Sequence, residues 1–454
     1  MQQTIGTNAR LSPEVKIQAD IGCTTPVQPK IKFRHDLKVF WGVTQRMFPR
    51  RLIYAAIAIS SAAAFVLFGY EFIRSVSSSL FIEVYGAENL SRGMVAVPPS
   101  VFVLLYGYGR LLSWQGATRA LAITSIFSAA LILWSYTALS RGMPFAAAII
   151  YVFREAYIVI IIEQFWSFVN SVLTTEQAKR INGPFCAVAS LGSFLGGTLV
   201  SKWATVLGSE ALLLFTAASL VPTAVLGIIA YKFGGEPKPS EEEVGGRFGH
   251  VGVKTLFRSK YLIFIGVLVI STQVVSTVLD LRFNGLAETE IPDKDVRTGF
   301  FGGVYGNLGL ASGILQLVVV PLALRFVALH YIHLGIPIVH FVSSLVLTIS
   351  PSLRTGTAAY TIFKALDYSI FRAGKELFYM PLSYDSRYRA KQVIDSFGYR
   401  SSKGGSAGVI ELVRLGVKTI PGIAFSITAM VAAIVWTPIV LSLTRAYQKL
   451  VNPK

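Results

Sequence analysis

Apolar runs of about twenty residues recur along this chain from Leu52 onward, and their length limits the possible folds more than any other feature. A hydrocarbon core about 30 Å thick is crossed by about twenty helical residues, each rising about 1.5 Å. Lipid offers the backbone no hydrogen-bond partners, so only helices or closed barrels can span it, and barrel strands would be shorter and alternating. The chain has 454 residues, of which 53% are hydrophobic and 15% charged. Its mean hydropathy of +0.57 exceeds what a soluble core of this size needs. The pattern predicts an all-α polytopic membrane protein.

The runs place spans at 52–72, 94–113, 120–139, 145–173, 183–201 and 211–231, then at 261–283, 300–322, 329–350, 356–380, 390–418 and 421–444, the tenth and eleventh being the most polar. Two six-helix halves, 52–231 and 261–444, are thus expected on either side of a linker over 232–260. That linker contains Gly-Gly-Glu-Pro-Lys-Pro-Ser-Glu-Glu-Glu, a solvated composition. A basic tail over 1–51 has the composition of a segment without order, and a short tail follows over 445–454. No apolar stretch precedes Leu52, so the first span itself is expected to start insertion. Two halves joined by a charged linker are the plan of major-facilitator transporters, whose solute site lies near mid-membrane between them.

The net charge of +18 comes from 42 Lys and Arg against 24 Asp and Glu. Most of the basic residues fall in segments that an internal-termini layout puts in the cytoplasm, as the positive-inside rule demands. Topology therefore accounts for the charge, and nucleic-acid binding is not expected. Cys23 and Cys186 lie in such different settings that neither a disulfide nor a metal pair is expected. Gly374-Lys375 lacks the upstream glycine of a phosphate-binding loop, which argues against ATP hydrolysis and an enzyme. Gly192, Ser193, Gly196 and Gly197 form a small-residue face suited to close helix packing.

A charge at the centre of a bilayer costs at least about 2.5 to 3.5 kcal/mol, so charges inside spans point to partners or to an aqueous cavity. Arg154, Glu155 and Glu163 lie in the fourth span, and Asp280 and Arg282 end the seventh. Lys364 and Asp367 in the tenth, and Glu411 and Arg414 in the eleventh, have the i, i+3 spacing of structural ion pairs. For those last two pairs, a structural role and a place on the solute path both stay open.

Three stretches carry a resemblance. Thr174-Thr175-Glu176-Gln177-Ala178-Lys179-Arg180 follows the fourth span. Gly374-Lys375-Glu376-Leu377-Phe378-Tyr379-Met380-Pro381-Leu382 closes the tenth. Ala390-Lys391-Gln392-Val393-Ile394-Asp395 follows, and then Tyr399-Arg400-Ser401-Ser402-Lys403-Gly404-Gly405-Ser406. In order and spacing these resemble the ATP/ADP antiporters of plastids and intracellular bacteria, a nucleotide-transporter family with a facilitator-like fold. The resemblance extends weakly from Tyr70 to Ser406 and includes Gly306-Asn307.

The resemblance implies substrate-binding roles for Tyr70, Arg74, Glu155, Asp280 and Lys403. Arg154, Arg282 and Arg400 join them as cations able to bind phosphate, and Tyr70, Phe165, Trp166 and Phe283 as aromatics able to meet a base. Where the family has Arg-Asp-x-Lys-Asp in the first span, this chain has Arg74-Ser75-Val76-Ser77-Ser78, so that one phosphate ligand is missing. Asn284 stands where a lysine often follows the seventh-span acid.

The implied function is exchange of nucleotides or a related phosphorylated anion by alternating access. The alternatives are a proton-coupled facilitator for a small organic anion, using Glu155, Glu163 or Asp280, and a membrane protein that keeps the fold without transport. No cofactor or metal is expected, and a monomer is favoured. Its place is in the lipid bilayer of a bacterial inner membrane or an organelle inner envelope, both termini cytoplasmic.

Overall fold

The structure is a computed structural model that describes residues 49–236, 256–257, 259–382, 391, 393–417 and 419–451. The basic tail, most of the 232–260 linker and Arg387 lie outside the described residues. Among the described residues there are helices and no strands. The helices are α1 (Arg50–Tyr85), α4 (Phe145–Val172), α5 (Thr175–Leu207), α6 (Leu213–Gly234), α7 (Lys260–Glu290), α9 (Leu329–Ile349) and α12 (Gly422–Val451). The run Leu90–Ser140 breaks at Gly116 into two limbs, 90–115 (α2) and 117–140 (α3). Three helices contain a wider π turn: α8 (Lys294–Ile314, continuing to Phe326), α10 (Leu353–Leu366, continuing to Tyr379) and α11 (Tyr399–Gly416, preceded by Val393–Gly398). Single π turns inside α-helices frequently mark functional sites.

Nine helices among the described residues are long and apolar enough to cross a membrane, and the longest, bent at Gly116, crosses twice. α10 and α11 bring the number to twelve, and they fall short on apolarity because each carries several charged residues. At the bend Gly116 has φ +77°, a conformation that side chains with Cβ avoid. There the Glu236 carboxylate accepts the Thr118 amide at 3.2 Å, which satisfies one orphan donor at the start of α3. Thr174 and Gln177 form a reciprocal capping box at the start of α5, giving two residues of the first resembling stretch a structural reason.

Each half has its own apolar core. One is built around Ile59, Val66, Phe72, Phe165 and Leu213, and the other around Leu268, Phe283, Phe363 and Trp436. The second core continues into Phe81, Ile82, Leu90 and Met94 of the first half, so the halves fuse at the end of the bundle where α1 turns into α2. Along the α5–α8 seam the contact is backbone on backbone: a Cβ on Gly197 would lie 2.5 Å from the Gly302 carbonyl oxygen. Gly192 and Gly196 turn to the other side of α5, where a Cβ would strike the Ala64 and Phe68 carbonyls of α1. The small-residue face is therefore two faces, wedging α5 between α1 and α8.

The same fused end is stitched by polar contacts between halves. Arg297, 1% exposed, donates to Glu83 Oε2 at 3.0 Å, to the Ser79 carbonyl at 3.1 Å and to the Ile291 and Pro292 carbonyls at 3.0 Å. Lys294 pairs with Glu210, and Ser209 Oγ donates to Asp295 Oδ1 at 2.6 Å. Glu411 and Arg414 pair at 3.1 Å as their spacing predicts, and Glu411 also holds Arg92 of α2 at 3.1 Å. This pair belongs to the stitching, away from the centre.

Candidate substrate site at the centre of the bundle

Arg74 projects from α1 across to the other half. Its Nη2 donates to the Tyr360 hydroxyl of α10 at 3.0 Å, and its guanidinium lies 3.8 Å over the Tyr305 ring of α8. Glu71, one turn back on α1, is 3.9 Å from it and accepts a hydrogen bond from Ser193 Oγ at 2.5 Å. Tyr70 is half-buried on the near side, its ring 5.9 Å from the same guanidinium. An arginine held over aromatic faces, with a hydroxyl as its cross-half acceptor, keeps part of its donor fork available to an anion.

Arg154, 6% exposed, reaches from α4 to the serines of α1. Its Nη1 donates to Ser77 Oγ at 2.9 Å, Ser78 Oγ at 2.6 Å and the Arg74 carbonyl at 2.8 Å, while its Nε lies 3.5 Å from Glu155. The positions at which the resemblance leads one to expect a lysine and an acid therefore cradle an arginine from the neighbouring helix.

Lys403 of α11 completes the group. Its Nζ is 3.2 Å from Asp280 Oδ2 on α7, and Asn284 Nδ2 donates to the other carboxylate oxygen at 3.0 Å. Glu155 of α4 is within electrostatic reach of the same ammonium, so an acid from each half acts on it. The side chains of Lys403 and Glu155 retain 24% and 29% of their exposure, against 11% for Asp280. Lys403 and Glu155 are thus the members of this cluster that solvent reaches most.

Not every predicted residue joins this cluster. Arg282 rests its guanidinium on Gly422 at the start of α12. Residues two apart on a helix point about 200° apart, so α7 cannot aim both Asp280 and Arg282 into one cavity. Arg400 is half-buried and borders a groove of about 230 Å³ with Pro98, Phe102 and Tyr106 of α2, within electrostatic reach of Glu155 and Glu163. Glu163 is exposed. Phe165 and Phe283 are fully buried in the cores, Phe283 stacked on Tyr360 with centroids 4.6 Å apart, and Trp166 packs on Phe185. Of the four proposed aromatic partners for a base, Tyr70 is the one beside the charges.

Lys364 and Asp367 do not pair. Lys364 Nζ donates to Ser276 Oγ of α7 at 2.7 Å, and Asp367, at the start of the π turn, accepts from the Tyr399 hydroxyl at 2.7 Å. The last two resembling stretches interlock instead: Lys375, 3% exposed, pairs with Asp395, and Glu376 with Lys391 at 2.9 Å. Those motif charges join α10 to the segment that leads into α11 and leave Lys403 to face the centre. Glu71, Tyr305, Tyr360 and Lys364 are site-forming residues that the charge pattern pointed to weakly or not at all. The i, i+4 spacing of Tyr360 and Lys364 and the i, i+3 spacing of Glu71 and Arg74 were the available signals.

A family model described as TLC ATP/ADP transporter matches residues 317–447. The chain is 22% identical over 460 residues to ADP,ATP carrier protein 1 of Rickettsia bellii, a match covering 85% of this chain and 92% of that one. ADP,ATP carrier protein 4 of Rickettsia felis is 21% identical, with 95% of each chain covered. The family model spans less than a third of the chain and the relatives share about a fifth of its residues, so these matches show a distant similarity to the ATP/ADP transporter family. The chain is a multi-pass membrane transporter, not an enzyme. Among solved structures it is similar to the nucleoside transporter NupG, with a TM-score of 0.60 at 13% identity over 88% of this chain and 100% of that one. A bacterial homologue of the iron transporter ferroportin gives a TM-score of 0.63 at 11% identity over 86% and 99%. At such identities the likeness is one of fold, and the fold is that of a major-facilitator transporter.

Proposed function

We propose that this chain belongs to the ATP/ADP transporter family and exchanges nucleotides of the ATP/ADP type, or a related phosphorylated anion, across the membrane by alternating access. The observation that carries the reading is the central convergence of Arg74, Arg154 and Lys403 from α1, α4 and α11, balanced by Glu155 and Asp280. Phosphate oxygens leaving water need charge-assisted hydrogen bonds, each contributing about 1.5 to 3 kcal/mol, and this set of donors supplies them. Arg74, touching Tyr305 and Tyr360 of the other half, would report occupancy to both halves. Tyr70 offers a ring to a base.

The ion pairs supply a reason for exchange. In the empty site Lys403 is neutralised by Asp280 and Arg154 by Glu155, and an arriving phosphate competes with those carboxylates. A released carboxylate in a desolvated site is costly, so the occupied state is stabilised only while the anion stays. Both termini and the 232–260 linker would face the cytoplasm, which puts the stitched end on the outer side. A single copy contains all the groups named, in keeping with a monomer in a bacterial inner membrane or organelle inner envelope.

Uptake of labelled ATP, ADP and simpler phosphate esters by intact bacterial cells expressing the chain tests this reading. ATP and ADP accumulation above that of cells with an empty vector is expected. Uptake that collapses with an uncoupler and ignores nucleotide would support the proton-coupled alternative instead.

A further inference from the structure

Lys364 is a buried cation with no role in the ion pairs of the centre. It is 7% exposed and sits on α10 with its Nζ 2.7 Å from Ser276 Oγ. The rings of Phe363, Tyr368 and Tyr360 lie 5.6, 5.7 and 5.8 Å from the ammonium. Among the described residues no carboxylate forms an ion pair with it: Asp367 accepts from Tyr399, and Asp280 is taken by Lys403. An ammonium has three donors, and a neutral hydroxyl uses one. Asp280, paired with Lys403, is also within electrostatic reach of this ammonium, and two cations sharing one buried carboxylate leave a positive charge that is expensive inside a membrane protein unless an anion answers it.

Its position gives that charge a use. Tyr360, one turn earlier on the same face of α10, accepts from Arg74 at 3.0 Å. Ser276 lies one turn before Asp280 on α7, and residues four apart on a helix are neighbours about 6 Å apart. Lys364 therefore stands one turn from the Arg74–Tyr360 contact and one turn from the Asp280–Lys403 pair.

We propose that Lys364 binds the terminal phosphate of the transported nucleotide. This rests on the nucleotide-exchange reading and adds a residue and a phosphate to it. Nζ leaves Ser276 Oγ, a neutral acceptor readily given up, and donates to the non-bridging oxygens of the phosphate furthest from the nucleoside. Arg74 and Lys403 hold the inner phosphates. A compact, mobile ammonium suits a terminal group that differs between ATP, ADP and AMP.

The test measures exchange of labelled ATP and AMP by the full chain in phosphatidylcholine vesicles loaded with ADP, for wild type and for Lys364→Gln, Lys364→Met, Lys364→Arg and Ser276→Ala. Loss of one charge-assisted contact to the terminal phosphate should lower the preference for ATP over AMP by about 10- to 100-fold in both neutral variants. Lys364→Arg should keep most of that preference, and Ser276→Ala should leave it near wild type. A structural lysine would lower transport of both nucleotides equally, so an unchanged ratio in Lys364→Gln or Lys364→Met overturns the proposal. Wild-type vesicles that exchange no nucleotide would contradict the underlying reading instead, and the proposal with it.

Discussion

Lys403 Nζ lies 3.2 Å from Asp280 Oδ2, which ties α11 to α7 with Glu155 of the first half within electrostatic reach of the ammonium. Such a pair is dispensable for folding if its partners are removed together, and costly if one charge is left buried alone.

Lys403→Ala should lower kcat/KM for ATP exchange, per molecule in the membrane, by about 10- to 100-fold, since a charge-assisted contact to phosphate is lost. Asp280→Asn should act in the opposite sense on binding, lowering KM because Lys403 is no longer neutralised, while slowing turnover. Initial rates over a range of ATP concentrations measure both. A rise in KM for Asp280→Asn would show that the carboxylate is not a competitor of the substrate.

Ser77→Lys restores the charge that the family resemblance leads one to expect, yet it should weaken transport. Ser77 Oγ accepts from Arg154 Nη1 at 2.9 Å, so a lysine there would push an ammonium against a buried guanidinium. Rates at least tenfold below wild type are expected, with partial recovery in Ser77→Lys/Arg154→Ser. Stronger ATP binding in the single variant would mean that the two cations can share the site.

The fold was largely legible because lipid makes apolar length a direct report of helices. Arg74, Glu155 and Lys403 were legible for the same reason, being charges where charges are costly. What the sequence concealed were relationships set by tertiary geometry. The i, i+3 spacing of Lys364 and Asp367 suggested a pair, but the helix widens into a π turn at Asp367, and that acid meets Tyr399. Asp280 and Arg282 read as one charged end of a span, while helical rotation sends Arg282 to Gly422. Lys375 and Asp395 stood out only as parts of two resembling stretches, and they lock α10 to the start of the next helix. Arg297, fully buried among carbonyls and Glu83, lay in a connection that hydropathy treats as exposed.

Gly197→Ala should destabilise the bundle by about 1 to 3 kcal/mol, because its Cβ would lie 2.5 Å from backbone atoms of α8 that cannot rotate away. Gly405→Ala on α11, where nothing lies within 4 Å, is the matched control. The melting temperature in detergent should fall by several degrees for the first and stay near wild type for the second. Equal melting temperatures would mean that the α5–α8 seam has slack.

Orientation is tested by single cysteines in a Cys23→Ser/Cys186→Ser background. Lys232 and Pro292 are both exposed at opposite ends of the bundle. An impermeant thiol reagent applied to intact cells should label Pro292→Cys and spare Lys232→Cys until the cells are opened. The reverse pattern would invert the layout.

The central claim is that anion binding replaces internal ion pairs and thereby makes counter-substrate necessary. Vesicles containing the purified chain, loaded with ADP or left without nucleotide, should be given labelled ATP outside. The account predicts uptake at least tenfold faster into ADP-loaded vesicles than into empty ones, with loss of internal ADP at a matching rate. Equal uptake into loaded and empty vesicles would contradict it.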